Sequence, residues 1–356
     1  MQKNELYPLV FEPIYKEMIW GGARLAGKFG RTLPSEHVGE TWDVSCREAE
    51  MSVVENGTLA GRTLGELIAA DRAGMLGAAL ADAETFPLLL KLIDAKDNLS
   101  VQVHPDDAYA QRVENLPVGK TEMWYILDAP EDAALIIGLN DGVTEADFRR
   151  AVADGTVEDC LGRLPIQAGD VIFIAAGLIH AITAGVMLAE IQQNSDTTYR
   201  VYDYNRMGLD GKPRALHVEK SIDVTDYAGA LRKTTVPGLT VQREGMAVTY
   251  YIACPYFAVE RLALDGCVPC AADGEKFVLL TCTEGEAEIS ANGASVTLAA
   301  GRTAYLPAAM GAYALKGQAT LLRSYVPEVQ KDFMRPLLDA GYTMGEIAER
   351  TAVSEF

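Results

Sequence analysis

The sequence predicts a mainly β protein: two tandem double-stranded β-helices, or jelly rolls, the first interrupted by a small helical insertion. Three observations lead there. Short apolar runs separated by turn residues recur along the chain, as in PLVFEPIY, GETWDVSC and EMWYIL. Polar side chains suited to holding a metal stand on several of these runs rather than on one. A faint internal repeat ties the halves together. AGDVIFIAAGLIHAI at 168 to 182 aligns without gaps on AGRTAYLPAAMGAYA at 300 to 314, and EMWYIL at 122 to 127 resembles EKFVLL at 275 to 280.

The first sixty residues read as strands and loops of the β framework. TLGELIAADRAGMLGAALADAE then reads as helix, opened by a capping box in which Thr63 is followed three residues later by Glu66. Residues 84 to 107, ETFPLLLKLIDAKDNLSVQVHPDD, read as strand, turn, strand. In the second strand Gln102 and His104 share one face by period-2 geometry, with Val101 and Val103 on the other. DAYAQRVENL is expected to be helical, capped by Asp106 or Asp107. GKTEMWYIL is a strand with Glu122 at its start, and ALIIGL is another. TEADFRRAVADGTVEDCLGRLPI is the helical insertion, with Thr144 as N-cap and Phe148, Ala151 and Val152 at helical spacing. The apolar run Val171 to Ile174, between Gly169 and Gly177, suits a strand covered on both faces, and His180 follows just past its end. In the repeat His180 falls opposite Ala312, and no QxH or HxH precedes the second copy, so the second unit is expected to lack a metal site. The tail from 327 to 356 is expected to be docked helix. Its GYTMGEIAERTAVS has a superficial helix-turn-helix look, but no basic surplus supports DNA binding.

Composition sets the class. A chain of 356 residues, 49% hydrophobic and 23% charged, is an ordinary globular protein with room for two cores. A net charge of -19 argues against nucleic acid or an anionic membrane as partner. No leader-like segment or membrane-length apolar run is present, so a cytoplasmic protein is expected. Six scattered cysteines, of which only Cys267 and Cys270 form a CxxC, read as reduced thiols.

Gln102, His104, Glu122 and His180 together offer two imidazoles, a carboxylate and an amide oxygen. That mixed set suits one Zn2+ per chain and is compatible with Fe, Mn or Co. A lone histidine in a sheet is more often a satisfied core residue; two in order with a carboxylate and a glutamine read as ligands. Basic groups lie close to each motif. Lys91 stands in an otherwise apolar strand and needs a partner or a route to the rim. Lys120 shares a face with Glu122. Arg200 and Arg206 follow the run containing Glu190 and Asp196. His37 and His217 lack such context.

PLLLKLIDAKDNLSVQVHPDD, GKTEMWYIL, AGLIHAI and NSDTTYRVYDYNR, in that order, resemble the short bacterial form of the type I mannose-6-phosphate isomerases. The likeness runs from PLVFEPIYKEMIWGG to about residue 220, and more weakly to about 326. It implies a cupin fold in three parts: a metal-bearing catalytic domain over 1–235 with its insert at about 141–165, a degenerate cupin over 236–326, and the tail beyond. It implies interconversion of mannose 6-phosphate and fructose 6-phosphate by enediolate proton transfer. The resemblance puts the metal ligands on Gln102, His104, Glu122 and His180 and the catalytic arginine on Arg200. Phosphate contacts fall on Ser100 and Arg206, the latter a lysine in longer members. Lys91, Lys120 and Asp196 match positions for proton handling or substrate contact, with the base left open, and Glu190 is a further substrate-side carboxylate. The partner is then a small sugar phosphate, with the protein a monomer or weak homo-oligomer. Two alternatives stand beside this: a cupin enzyme acting on another sugar or small acid, and a non-catalytic sugar-phosphate-binding cupin.

Overall fold

A computed structural model describes residues 6–229 and 234–354, leaving the outermost ends of the expected domains and residues 230–233 outside. The chain is mainly β and divides into two compact units, 1–14 with 42–90 and 236–356, and 15–41 with 91–235. The expected first domain of 1–235 is therefore drawn differently. Hydrogen bonding gives the reason: Leu9 and Val10 pair with Tyr305 and Ala304, and Phe277 N donates to Leu76 O. These early segments complete the C-terminal barrel.

The unit of 15–41 and 91–235 is a jelly roll. One sheet has the order Leu161–Pro165, Ala134–Leu139, His180–Ala181, Val101–Val103, Tyr199–Tyr202. The other runs Val171–Ile174, Glu122–Asp128, Met187–Gln193, Leu88–Asp94, Val38–Val44, Ile14–Gly22. Trp124, Ile126, Leu135, Ile137, Ile172 and Leu188 fill one apolar core. A second core joins Val101 and Val103 to Phe148 of the insertion and Ile222. The insertion helix Glu145–Asp154 carries the expected Thr144 cap, reinforced by Asp147, and buries Phe148 and Ala151. It gives Val101 and Val103 an apolar cover, so Gln102 and His104 face the opposite way.

The segment expected as one helix after Thr63 is broken. The capping box of Thr63 and Glu66 starts Leu64–Ala70, but Asp71 ends it and caps a second short helix, Arg72–Leu76. Asp106, not Asp107, caps the turn after His104. The tail is helical over Arg335–Asp339 and Met344–Arg350, with Phe333, Leu337 and Ile347 fully buried. It ends in a strand, Ala352–Val353, paired in parallel with Ile252 and Ala253. An open edge there had hydrogen bonds to give.

In the C-terminal barrel two long strands, Ala258–Ala272 and Gly311–Tyr325, pair along their whole length. They turn at facing Gly266 and Gly317, where φ is 136° and 143°, a region closed to other residues. The ladders make the internal repeat concrete. Ile174 pairs with Glu122 as Leu306 pairs with Val278, and His180 pairs with Gln102 as Ala312 pairs with Ala271. Sequence alignment sets Glu122 against Glu275; the ladders instead put Val278 there. The equivalence of His180 with Ala312 is carried over from the sequence repeat, and it makes Ala271 the counterpart of Gln102.

Candidate metal centre and adjoining pocket

Cross-strand register brings the distant motifs together. Gln102 stands opposite both His180 and Arg200 in one sheet, while Glu122 begins a strand of the other. His104, Glu122 and His180 are fully buried, and their ligand atoms lie within 4.8 Å of one another. His104 Nε2 is 3.6 Å from Glu122 Oε2, and His180 Nε2 is 3.5 Å from Glu122 Oε1. The tautomers are set from behind. His104 Nδ1 donates to Thr197 O at 2.9 Å and His180 Nδ1 to Leu178 O at 2.8 Å, which leaves both Nε2 lone pairs facing the carboxylate. Gln102 Nε2 lies 3.3 Å from His180 Nε2; turning the amide over presents its oxygen instead.

The donor set fits a divalent cation. His104 Nε2 and both Glu122 oxygens are buried without a well-aligned hydrogen bond, an arrangement costly in a protein interior unless a cation satisfies it. Burial, followed by Lys120 and His180, holds His104 well below the usual histidine range, and burial brings His180 down to about 4. Both rings are neutral at neutral pH, the form that can ligate a cation. Burial and then Glu190 push the Glu122 carboxyl up to about 7. A cation would reverse that.

The predicted lysines are buried beside the trio. Lys120 Nζ is 3.2 Å from Glu122 Oε2. Lys91 Nζ lies 3.2 Å from Glu190 Oε1 and 3.4 Å from Glu40 Oε2. Burial alone would lower the Lys91 pKa, but Glu40, Glu190 and Asp196 overcome it and raise it above the ordinary lysine value. Glu190 also accepts from Trp124 Nε1 at 3.0 Å; burial pulls its pKa up, and Lys91 and Lys120 bring it below the usual range.

A cavity of about 300 Å³ opens beside the trio. Ser100, Gln102, Lys91, Lys120, Glu190 and Asp196 line it, as does Arg200, whose Nε donates to Ser100 Oγ at 3.2 Å and Nη1 to Ala215 O at 2.9 Å. Arg206 is not brought into this lining. Its guanidinium is held by Asp203 at 2.8 Å and lies over the Tyr204 ring. Arg214 shares Asp203, with Nε to Oδ2 at 2.7 Å, and does line the cavity, as do Glu40 and His217. The sequence reading missed Arg214 and Glu40. Arg214 lies eight residues past the end of the NSDTTYRVYDYNR motif, and only the GETWDVS run hinted at Glu40. His217 Nδ1 accepts from Arg200 N at 3.2 Å, whereas His37 is exposed.

Comparison with known proteins places this geometry. The family model for the catalytic domain of type I phosphomannose isomerase matches residues 9–150, and that for the cupin domain of mannose-6-phosphate isomerase matches 247–326. The chain is 39% identical over 321 residues to the mannose-6-phosphate isomerase ManA of Bacillus subtilis, covering 90% of this chain and 99% of that protein. It is 37% identical over 321 residues, with the same coverage, to a mannose-6-phosphate isomerase of Streptococcus mutans. A crystal structure of the mannose 6-phosphate isomerase from Bacillus subtilis matches with a TM-score of 0.82 at 35% identity, over 89% of this chain and 99% of that one.

Proposed function

The chain belongs to the type I phosphomannose isomerases, and from that premise we propose that it interconverts mannose 6-phosphate and fructose 6-phosphate with one Zn2+ per chain. The observation that carries this reading is the meeting of the His104, Glu122 and His180 trio with Arg200, Ser100 and two buried lysines at one cavity.

Gln102, His104, Glu122 and His180 would hold the ion, which when bound supplies Lewis-acid polarisation of substrate oxygens. The remaining chemistry belongs to the chain. Lys91, kept as an ammonium between Glu40 and Glu190, makes a poor base and a good fixed positive charge. Lys120 and Asp196, both on the cavity wall, are then the groups to carry the proton between C2 and C1. Arg200 neutralises the oxyanion that develops as the proton leaves, and it does so without titrating. The Ser100 hydroxyl and the Arg214 guanidinium, also on the cavity wall, receive the phosphate. Arg206 acts through Asp203, which it shares with Arg214. The cationic wall also answers the charge problem, since a molecule of net charge -19 repels a sugar phosphate elsewhere.

The test is ketose formation from mannose, mannose 6-phosphate and glucose 6-phosphate side by side, read by coupled production of glucose 6-phosphate for the second. Turnover of mannose 6-phosphate alone, abolished by EDTA and restored by Zn2+, is expected. Absence of turnover in the metal-loaded protein ends the reading, and oxygen uptake with a small acid would replace it by an oxygenase.

A further inference from the structure

The C-terminal barrel holds a second cavity at the place equivalent to the catalytic one, and the two are equal in volume, about 300 Å³ each. Ala271 and Val278, the counterparts of Gln102 and Glu122, line it. The correspondence continues along the strands. Trp124, two residues beyond Glu122, pairs with Glu190; Leu280, two beyond Val278, pairs with Arg323. Arg323 thus occupies the station of Glu190. Its cross-strand partner is Glu260, fully buried, which accepts from Arg323 Nε at 2.6 Å and from Tyr325 OH at 2.6 Å. The Lys91 and Glu190 pair of the first barrel recurs with its polarity reversed. Here the cation lines the cavity and its carboxylate partner does not, whereas Lys91 and Glu190 both line the first.

Burying the Glu260 carboxylate against a partly exposed Arg323 costs desolvation that apolar residues would avoid, so the pair calls for a use. Of the fourteen lining residues four are basic (Arg243, Lys276, Arg323, Lys331) and two acidic (Asp273, Asp332), against a strongly negative whole. Tyr250, Tyr313 and Tyr325 supply aromatic walls, and Arg243 Nη2 donates to Tyr250 OH at 2.9 Å. The tail builds the remaining side. Lys276 pairs with Asp332, Lys331 with Glu275, and Phe333 packs edge-on against Tyr250 at 5.4 Å. These tail residues lie beyond 326, where the cupin family model stops.

We propose that this cavity is a second, metal-free and non-catalytic binding site for a small organic anion, a phosphorylated or carboxylated metabolite whose body packs between the tyrosine rings. Arg323 and Arg243 meet the oxyanion, and the tail segment 331–336 closes the wall. Guanidinium groups backed by a buried carboxylate and by a phenol are preorganised for that contact.

Titration calorimetry on the full, Zn2+-loaded chain tests it with three probes: sorbitol 6-phosphate, citrate and inorganic phosphate. Two binding events per chain are expected with sorbitol 6-phosphate, one at each barrel. Citrate distinguishes a carboxylate preference, and inorganic phosphate alone tests whether the body matters. Arg243→Glu, an exposed position, should weaken the second event about tenfold or more while leaving isomerase turnover unchanged. Because Arg323→Met alone strands Glu260 and can unfold the barrel, the paired change Arg323→Met with Glu260→Gln is the second variant, and it should remove the event altogether. A single event per chain with sorbitol 6-phosphate and none at this barrel with citrate or phosphate overturns the proposal. So does a second event that survives both variants.

Discussion

Glu122 and Val278 stand on equivalent rungs of the two barrels, one opposite Ile174 and the other opposite Leu306. In the first barrel the rung carries a buried carboxylate between two imidazole nitrogens. In the second it carries an isopropyl group, with Ala312 where His180 would be. Among the described residues the first barrel gathers such a group of possible metal ligands and the second does not.

Metal content follows from this. Purified protein should hold about one Zn2+ per chain by elemental analysis, and Glu122→Gln or His180→Ala should lose most of it along with at least about a hundredfold in turnover. Val278→Glu should gain no metal, since Ala271 and Ala312 offer no further ligands. Full zinc occupancy in the Glu122→Gln protein would remove the carboxylate from the site.

Arg200 hydrogen-bonds Ser100, Ala215 and the His217 segment rather than His104, Glu122 or His180. Arg200→Ala should accordingly lower kcat by about a hundredfold or more with zinc content intact. A parallel loss of zinc would mark the arginine as structural.

Lys91 is the cation between the buried Glu190 and the partly buried Glu40 carboxylates. Lys91→Met leaves Glu40 and Glu190 facing each other without it and should cost about 3–5 kcal/mol in urea unfolding. Adding Glu190→Leu to that variant should recover part of the loss, because one stranded charge is then gone. Simple additivity of the two changes would show that the pair does not interact.

In protein stripped of metal, burial keeps His180 near 4 and His104 well below 6.5. The unfolded chain takes up protons at these rings near 6.5 that the folded chain refuses. The histidine contribution to the stripped protein's stability is thus complete above pH 6.5 and falls as the pH drops toward 4, by about 3 kcal/mol from His180 alone, while Glu122, raised to about 7, works in the opposite direction between pH 7 and 4.5. Urea midpoints of EDTA-treated protein across that range measure it. His180→Gln should shift the slope toward greater stability at acid pH, and an unchanged slope in that variant would assign the effect elsewhere.

Much of this was legible before any coordinates. Gln102 and His104 two apart in a strand and the Thr63 and Thr144 caps rest on local periodicity or capping chemistry, which short stretches encode fully, and the expected lack of a metal site in the second unit rests on the internal repeat. Boundaries were less legible. The helix expected after Thr63 splits at Asp71 because that side chain caps the next turn, and the tail ends in a strand because an edge was available to pair with it. Arg214 was missed since nothing local marks it; Arg206 has the better motif position, but Asp203 and the turn at Tyr204 hold it away from the cavity.

By itself the sequence determined which residues can ligate, which faces of which strands they occupy, and that the second half lacks the histidines. The tertiary structure alone decided that Val278 rather than Glu275 answers Glu122, that Arg214 reaches the cavity, and that an Arg323 and Glu260 pair mirrors Glu190 and Lys91 with its charges exchanged. The reason is physical. Side-chain direction within a strand follows from a two-residue period, whereas partnership across strands depends on ladder register, which is set by bulges, turns and packing far along the chain.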